Sequence, residues 1–401
     1  MRLLFDCTEL SYYEEYSGHR AGVFNVALNL YREFTKAGID ITFICDYKRY
    51  YFFKNLNEFK KIPLLKEHSV INRFWGILFY LLRNFPLRIK YFFLILARFY
   101  EATLYRIDKQ NAEQLKQFDA YFSPFSPPSK EILAAELKRF RMIHDIIPIL
   151  ECGMPKSPKD WYYRIYKTIR KNDFYVTNSD NTRDDVIKYF NIDENNIKTT
   201  LLGANSNFYP TSDNSPIEGK YVFSLCTLGK RKNIEFGIKC FFEFIEQYKI
   251  NDLKLVIGGS VWKKFEKTLY NSIKHFDQSK IFFAGYLDET ELAKYYSNAL
   301  CFIYPSLYEG FGLPVLEAMQ CGCPVITSNN SSLPEVIGDC GIQINPSSEE
   351  EMISAYRKMY FENTFREDCK TRGLQRAGFF SWEKCANEIL DFIKQNTPSK
   401  W

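Results

Sequence analysis

Short runs of β-branched, aromatic and aliphatic residues alternate with helical patterns along nearly the whole chain. RLLFDC, DITFICD, AYFSP, FRMIHD and FYVTNS in the first half read as strands, as do YVFSLCTL, LKLVIGG, IFFAGY, ALCFIYPS and CPVITSN in the second. Between them, apolar positions three and four apart predict helices over 22–36, 160–171, 180–190, 234–248, 262–275, 289–299, 313–321, 348–361 and 382–395. Such alternation predicts an α/β protein with parallel sheets covered by helices. Several strands end in Gly, Ser, Asn or Asp, where open α/β sheets carry their ligand loops. The polar stretch NSNFYPTSDNSPIEGK, 205–220, lacks periodicity and reads as a linker between two sheet domains, 1–204 and 221–379.

Composition narrows the class without naming it. At 46 % hydrophobic and 25 % charged, the 401 residues have an ordinary globular balance. The start, MRLLFDCTEL, has no long apolar core and no small-residue cleavage site, which predicts a protein kept in the cytoplasm. Eleven cysteines form no CxxC pair and no zinc-spaced cluster, so they read as reduced thiols and no metal site is expected. The net charge of +5 hides an asymmetry: residues 41–110 carry thirteen Lys/Arg against five Asp/Glu. Within that region, residues 71–100 mix aromatics with Arg73, Arg83, Arg88, Lys90 and Arg98, and Pro86 divides them into two helical pieces. No run reaches the roughly 20 apolar residues of a spanning helix. Two readings remain: contact with an anionic membrane surface, or helices packed on the domain's own sheet with basic rims. Nucleic-acid binding is not expected, because no recognition module accompanies the charge.

The densest chemistry lies in YEGFGLPVLEAMQCGCPVI, 308–326. Gly310, Gly312, Leu313 and Pro314 open an apolar helix, a place where backbone N–H groups and the helix dipole favour an anion and glycines let a phosphate approach. Glu317, one turn into the helix, suits a vicinal diol such as a ribose. Glu309, on the other side of the glycines, would then lie beside whatever the phosphates carry, which describes a nucleotide sugar. The alternative is a capped helix with both glutamates in solvent. The basic run Lys230, Arg231, Lys232 offers cations for a pyrophosphate, with Lys232 as the main contact and Arg231 as support. His144 and Asp145 end an apolar strand just before a proline-containing loop, and read as either structural or catalytic. Gly18 and Gly22 precede the first helix and suit close approach of a ligand.

These residues together resemble the glycogen-synthase-like retaining glycosyltransferases, family 4, which have the two-Rossmann-domain GT-B architecture. The resemblance spans nearly the whole chain and is most specific in E309-G-F-G-L-P-V-L-E317, followed by AMQCGCPVITS and LPEVIGD. It extends to HD at 144–145, TNSDNTRDDV, RKN at 231–233, LVIGG, GYLDETEL and FSWEKCANEIL. It implies that Glu309 lies against the donor sugar, that Glu317 binds ribose, and that Gly310, Phe311, Gly312 and Leu313 hold the distal phosphate. Tyr286 and Leu287 would lie near the base, His144 would face the sugar, and a helix within 380–401 would cross back onto the first domain. An arginine common in relatives is replaced by Cys226, which leaves the roles of Arg231 and Lys232 open. The resemblance further implies metal-independent transfer with retention, with no cofactor, from a GDP-mannose or UDP-hexose type donor to a saccharide; the basic, aromatic first domain suggests that this acceptor is lipid-linked at the inner membrane face, in surface polysaccharide synthesis. A nucleotide-sugar-binding subunit without activity is the alternative of a different class; a phosphorylase or epimerase is a third.

Overall fold

The computed structural model describes residues 1–12, 22–45, 47–54, 59, 62–65, 70–82, 89, 92–93, 95–96, 113–157, 160–225, 229–259, 269, 271 and 273–397. Gly18, Cys226, Arg83, Pro86, Arg88, Lys90, Arg98 and most of the helix predicted over 262–275 lie outside that set.

Two six-stranded sheets carry the fold, and every strand pairing in them is parallel. The first holds β1 (Arg2–Asp6), β2 (Asp40–Ile44), β3 (Ala120–Ser123), β4 (Lys138–Ile143), β5 (Phe174–Thr177) and β6 (Ile197–Thr199), in the order β2-β1-β3-β4-β5-β6. The second holds β7 (Lys220–Leu225), β8 (Leu253–Gly258), β9 (Ile281–Gly285), β10 (Cys301–Tyr304), β11 (Val325–Ser328) and β12 (Ile342–Ile344), in the order β12-β11-β10-β7-β8-β9. In both, the order reverses beside the first strand, so loops at the carboxyl ends of β1, β3, β7 and β10 flank a crevice. β3, β5, β10 and β11 are buried along their whole length, as strands sandwiched between helices must be.

β6 and β12 went unpredicted because three residues cannot show a period. The helix Asn363–Ala377 went unpredicted for another reason. Its buried stripe is Cys369, Gly373 and Ala377, small residues with little hydrophobic signal, and an added Cβ at Gly373 would touch Met319 at 3.5 Å. Pro148, which the sequence places in a loop, instead occupies the first turn of a short helix, Ile147–Cys152, where its missing N–H costs nothing.

The helix Trp382–Asn396 packs on the helix Gly22–Lys36 of the first domain. Ser381 caps it by accepting from the Lys384 N–H at 3.0 Å. Phe392 meets Phe140 and Phe174 edge-on at 5.8 and 5.9 Å. Cys385, Ile389, Leu390 and Ile393 are buried with it, each large aliphatic side chain contributing on the order of 1.5–3 kcal/mol. The backbone passes so close at Gly203 that an added Cβ would stand 2.4 Å from the Trp382 nitrogen.

Of the basic, aromatic region, the described helix Val70–Leu81 leaves Phe74, Ile77 and Leu81 exposed at 59, 43 and 59 %. Their spacing puts them on one face, so packing on the domain's own sheet does not account for these three. No helix among the described residues is long and apolar enough to cross a membrane.

Candidate active site

Glu309 follows β10 on a loop tied down by hydroxyls. Ser332 donates to the carbonyls of Glu309 and Phe311, both at 2.9 Å, and the Glu309 N–H donates to Ser331 at 3.0 Å. The loop turns at Gly312, whose φ of 110° favours glycine and whose added Cβ would meet Leu333 at 2.7 Å. Leu313 and Pro314 then start the helix Leu313–Gln320. Phe311 is buried against Phe380, centroids 6.1 Å apart.

This geometry aims the Glu309 carboxylate inward, at 7 % exposure, not into solvent. Lys232 Nζ lies 2.6 Å from one oxygen and Arg231 Nη1 2.8 Å from the other, while the Ser306 hydroxyl donates at 2.6 Å. Burial would raise this carboxyl, but the Lys232 and Arg231 charges outweigh it and hold the group below its ordinary range. Asn233, at φ 55°, ends the turn Lys230–Lys232 that puts two successive cations on one carboxylate and leaves Lys230 exposed. Lys232 also bonds the Tyr304 hydroxyl and lies 4.9 Å from that ring's centroid, and Arg231 donates to the Tyr308 carbonyl. Two cations thus share the Glu309 carboxylate.

The first domain meets this loop backbone to backbone. An added Cβ on Gly310 would stand 2.2 Å from the His144 carbonyl oxygen and 2.9 Å from Asp145 Cβ. Ser179 and Thr182 donate to the Gly310 carbonyl at 2.8 and 3.2 Å. An added Cβ on Gly22 would stand 3.8 Å from the Leu313 side chain. Thus the structure brings His144, Asp145, Arg231, Lys232, Glu309 and Gly310 together. His144 Nε2 lies 2.8 Å from the Pro124 carbonyl, which only accepts, so Nε2 carries the proton and Nδ1 is left as an acceptor. Burial pushes the imidazole down to about 4, so it is neutral at pH 7. Asp145 accepts the Ile147 N–H at 3.1 Å, and burial raises its carboxyl although Arg231 opposes the shift.

Glu317 stands apart, on the helix interior, where the Tyr296 hydroxyl donates to it at 3.4 Å. Burial, and then the charge of Glu289, pushes it up to about 7. Glu289 is itself held by the amides of Asn205 at 2.9 Å and Asn207 at 2.7 Å. Leu287 is buried, 3.0 Å from where a Cβ on Gly258 would be, and Tyr286 is half exposed. Both lie just past β9 in the chain, shortly before Glu289. Among the described residues no cluster of His, Cys, Asp or Glu could hold a metal ion.

Some polar pairings at this crevice gave no sequence signal. Glu335 crosses between domains to accept the N–H groups of Asp180 and Asn181, both at 2.8 Å, capping the helix Asp180–Phe190 from outside. Asn181 donates to the Tyr308 hydroxyl at 2.8 Å, and that hydroxyl bonds Asp185. LPEVIGD and TNSDNT were legible as motifs, but not as partners. Glu9, past β1, is buried, accepts from Ser126 at 3.0 Å, and is pushed by burial up to about 7.

Two parallel sheets meeting at a cleft with these loops define a GT-B architecture, and comparison with known proteins agrees. A profile described as "Glycosyl transferases group 1" matches residues 206–376. O-antigen chain mannosyltransferase B of Escherichia coli is 31 % identical over 265 residues, 63 % of this chain and 68 % of that protein. The serotype-specific mannosyltransferase WbdA of Escherichia coli is 26 % identical over 268 residues, 62 % of this chain but only 32 % of that longer protein. Sucrose-phosphate synthase from Thermosynechococcus elongatus superposes with a TM-score of 0.69 at 16 % identity over 98 % of both chains. Anabaena Alr3699/HepE in complex with UDP-glucose gives 0.66 at 14 % identity, over 98 % of this chain and 100 % of that one. These structural likenesses establish the fold. The chain belongs to the glycosyl transferases group 1 family.

Proposed function

We propose that this glycosyltransferase moves a hexose, with retention, from a nucleoside-diphosphate sugar of the GDP-mannose or UDP-hexose type to a lipid-linked saccharide in surface polysaccharide or O-antigen synthesis. The observation that carries the reading is the Arg231–Glu309–Lys232 cluster against His144 and Gly310. Its two cations suit a diphosphate, and its buried carboxylate suits the sugar beside it. In this scheme the bond from the anomeric carbon to the diphosphate oxygen breaks, and the acceptor oxygen bonds that carbon on the same face. The acceptor proton passes to the departing diphosphate. Arg231 and Lys232 stabilise the leaving charge, with Gly310, Phe311, Gly312 and Leu313 around the distal phosphate, Glu317 on the ribose and Leu287 and Tyr286 near the base. Supplied with these cations, the reaction proceeds without metal or organic cofactor. Names of relatives such as O-antigen chain mannosyltransferase B support a mannosyl donor and polysaccharide synthesis. The exposed Phe74, Ile77 and Leu81 support peripheral contact with the inner face of the cytoplasmic membrane.

The test is Glu309→Gln, assayed for product and for nucleotide binding. Turnover should fall about a hundredfold or more, while nucleoside-diphosphate affinity holds or rises as the cations are released. An unchanged rate would remove Glu309 from the reaction.

A further inference from the structure

The ammonium of Lys232 is held from two sides. Nζ donates to Glu309 Oε1 at 2.6 Å and to the Tyr304 hydroxyl oxygen, with the Tyr304 ring centroid 4.9 Å away. An ammonium has three N–H donors, set tetrahedrally. The third has no hydrogen-bond partner among the described residues, and the side chain stays 15 % exposed, open to a ligand. With one partner an ammonium can turn about that contact. With two partners on different sides, the direction of the remaining N–H is determined.

Tyr304 makes a firm second point. It ends β10 at 3 % exposure, its carbonyl accepts from the Thr327 hydroxyl at 2.9 Å, and its ring stacks on Phe302, centroids 5.8 Å and planes 23° apart. Phe302 in turn meets Tyr296 edge-on at 5.1 Å, and the Tyr296 hydroxyl reaches Glu317. One buried column of rings, Tyr304, Phe302 and Tyr296, thus places a hydroxyl at Lys232 and another at Glu317.

We infer that Tyr304 is a positioning residue for the transfer: its neutral hydroxyl aims the remaining N–H of Lys232 at the donor diphosphate, where the leaving charge develops. The inference rests on the transferase reading above and adds to it the group that orients the main cation. Neutrality is what suits a phenol to this place. A second carboxylate would orient Lys232 equally well but would cancel the charge that the phosphates need, whereas a hydroxyl accepts from the ammonium and leaves its charge intact. The ring contributes too, because a cation within about 6 Å of an aromatic centroid is attracted by its face. Glu309 and Tyr304 therefore act differently on Lys232: the carboxylate balances its charge while the site is empty, and the hydroxyl sets its direction.

The test compares nucleoside diphosphates with monophosphates, since the ratio of their dissociation constants isolates the terminal phosphate. Calorimetry at pH 8 with UDP, UMP, GDP and GMP is run on the full chain, on Tyr304→Phe, on Lys232→Ala and on the double variant. The unaltered protein should prefer the diphosphate of at least one base. Tyr304→Phe should cut that preference about tenfold, the worth of a hydrogen bond to a charged group. Monophosphate affinity and melting temperature should hold, because the ring and its packing remain. Lys232→Ala should cut the preference at least as far, and adding Tyr304→Phe to it should change nothing further, which a merely structural role for Tyr304 would not produce. A preference that survives in Tyr304→Phe, or that falls as much again on the Lys232→Ala background, would overturn the inference while the transferase reading stands. If Lys232→Ala keeps the full preference, the diphosphate role of Lys232 falls and the inference with it; if no nucleotide binds to the folded protein, the transferase reading falls as well.

Discussion

Glu317 should make donor binding pH-dependent in a window where most carboxylates are silent. Burial and the nearby Glu289 raise it from an ordinary 4.5 to about 7 in the ligand-free protein. At pH 6 about nine molecules in ten carry the neutral acid, and at pH 8 about nine in ten carry the carboxylate. A ribose diol donating two hydrogen bonds selects the ionised form. The apparent Kd should therefore be about tenfold weaker at pH 6 than at pH 8, roughly 1.4 kcal/mol, and level off above 7. Stability runs the other way. The folded form keeps a proton that the unfolded form releases near 4.5, so the ligand-free protein should lose stability as pH rises from about 4.5 through 7. Glu9 acts on stability in the same direction, but it sits in the first domain, so nucleotide affinity isolates Glu317. The assay is calorimetry at pH 6, 7 and 8 with GDP-mannose and UDP-glucose, whose doubly esterified diphosphates do not titrate in this range. Glu317→Gln should flatten the profile. A flat profile in the unaltered protein, or a slope that survives in Glu317→Gln, would refute the reasoning.

Other expectations follow from contacts across the cleft. Glu335→Ala leaves two N–H groups of the helix Asp180–Phe190 without their cap, worth about 1–2 kcal/mol. Small-angle scattering should show a more open ligand-free molecule and the donor KM should rise; unchanged scattering and KM would show that the cap does not hold the domains together. Gly310→Ala sets a methyl group 2.2 Å from the His144 oxygen, an overlap costing about 1–3 kcal/mol or more, and should lower turnover in a protein that still folds. A normal rate there would mean that this approach is not needed for the reaction. Phe74→Ser with Leu81→Ser should reduce pelleting with anionic liposomes at low salt, where the native chain should pellet in a salt-sensitive manner. Equal pelleting would take the contact away from that helix.

Much of this arrangement was legible in advance, and the gaps have physical causes. The strands that carry the cleft loops are apolar runs bounded by Gly, Ser, Asn or Asp, so β1, β4, β7 and β10 declare themselves. The glycines of the Glu309 loop and the adjacent cations could be assigned by type, because phosphate chemistry restricts both. What the chain does not announce is pairing. Lys232 could be matched to a pyrophosphate, but its contact with Glu309, 77 positions away, exists only once β7 and β10 lie side by side. Ser306, Ser332 and Glu335 are single polar residues whose roles depend wholly on such neighbours. Pro148 misled because the same residue that breaks a helix interior is welcome in its first turn.

The closing helix has a consequence for how the protein is made. Residues 382–396 complete the hydrophobic face of the helix Gly22–Lys36 and cover Phe140 and Phe174, yet they leave the ribosome after the entire second domain. At about 5–20 residues per second, the first domain waits on the order of ten seconds or longer with that face uncovered. The domain translated first is thus finished last, and the nascent chain presents an apolar surface for chaperones throughout that interval.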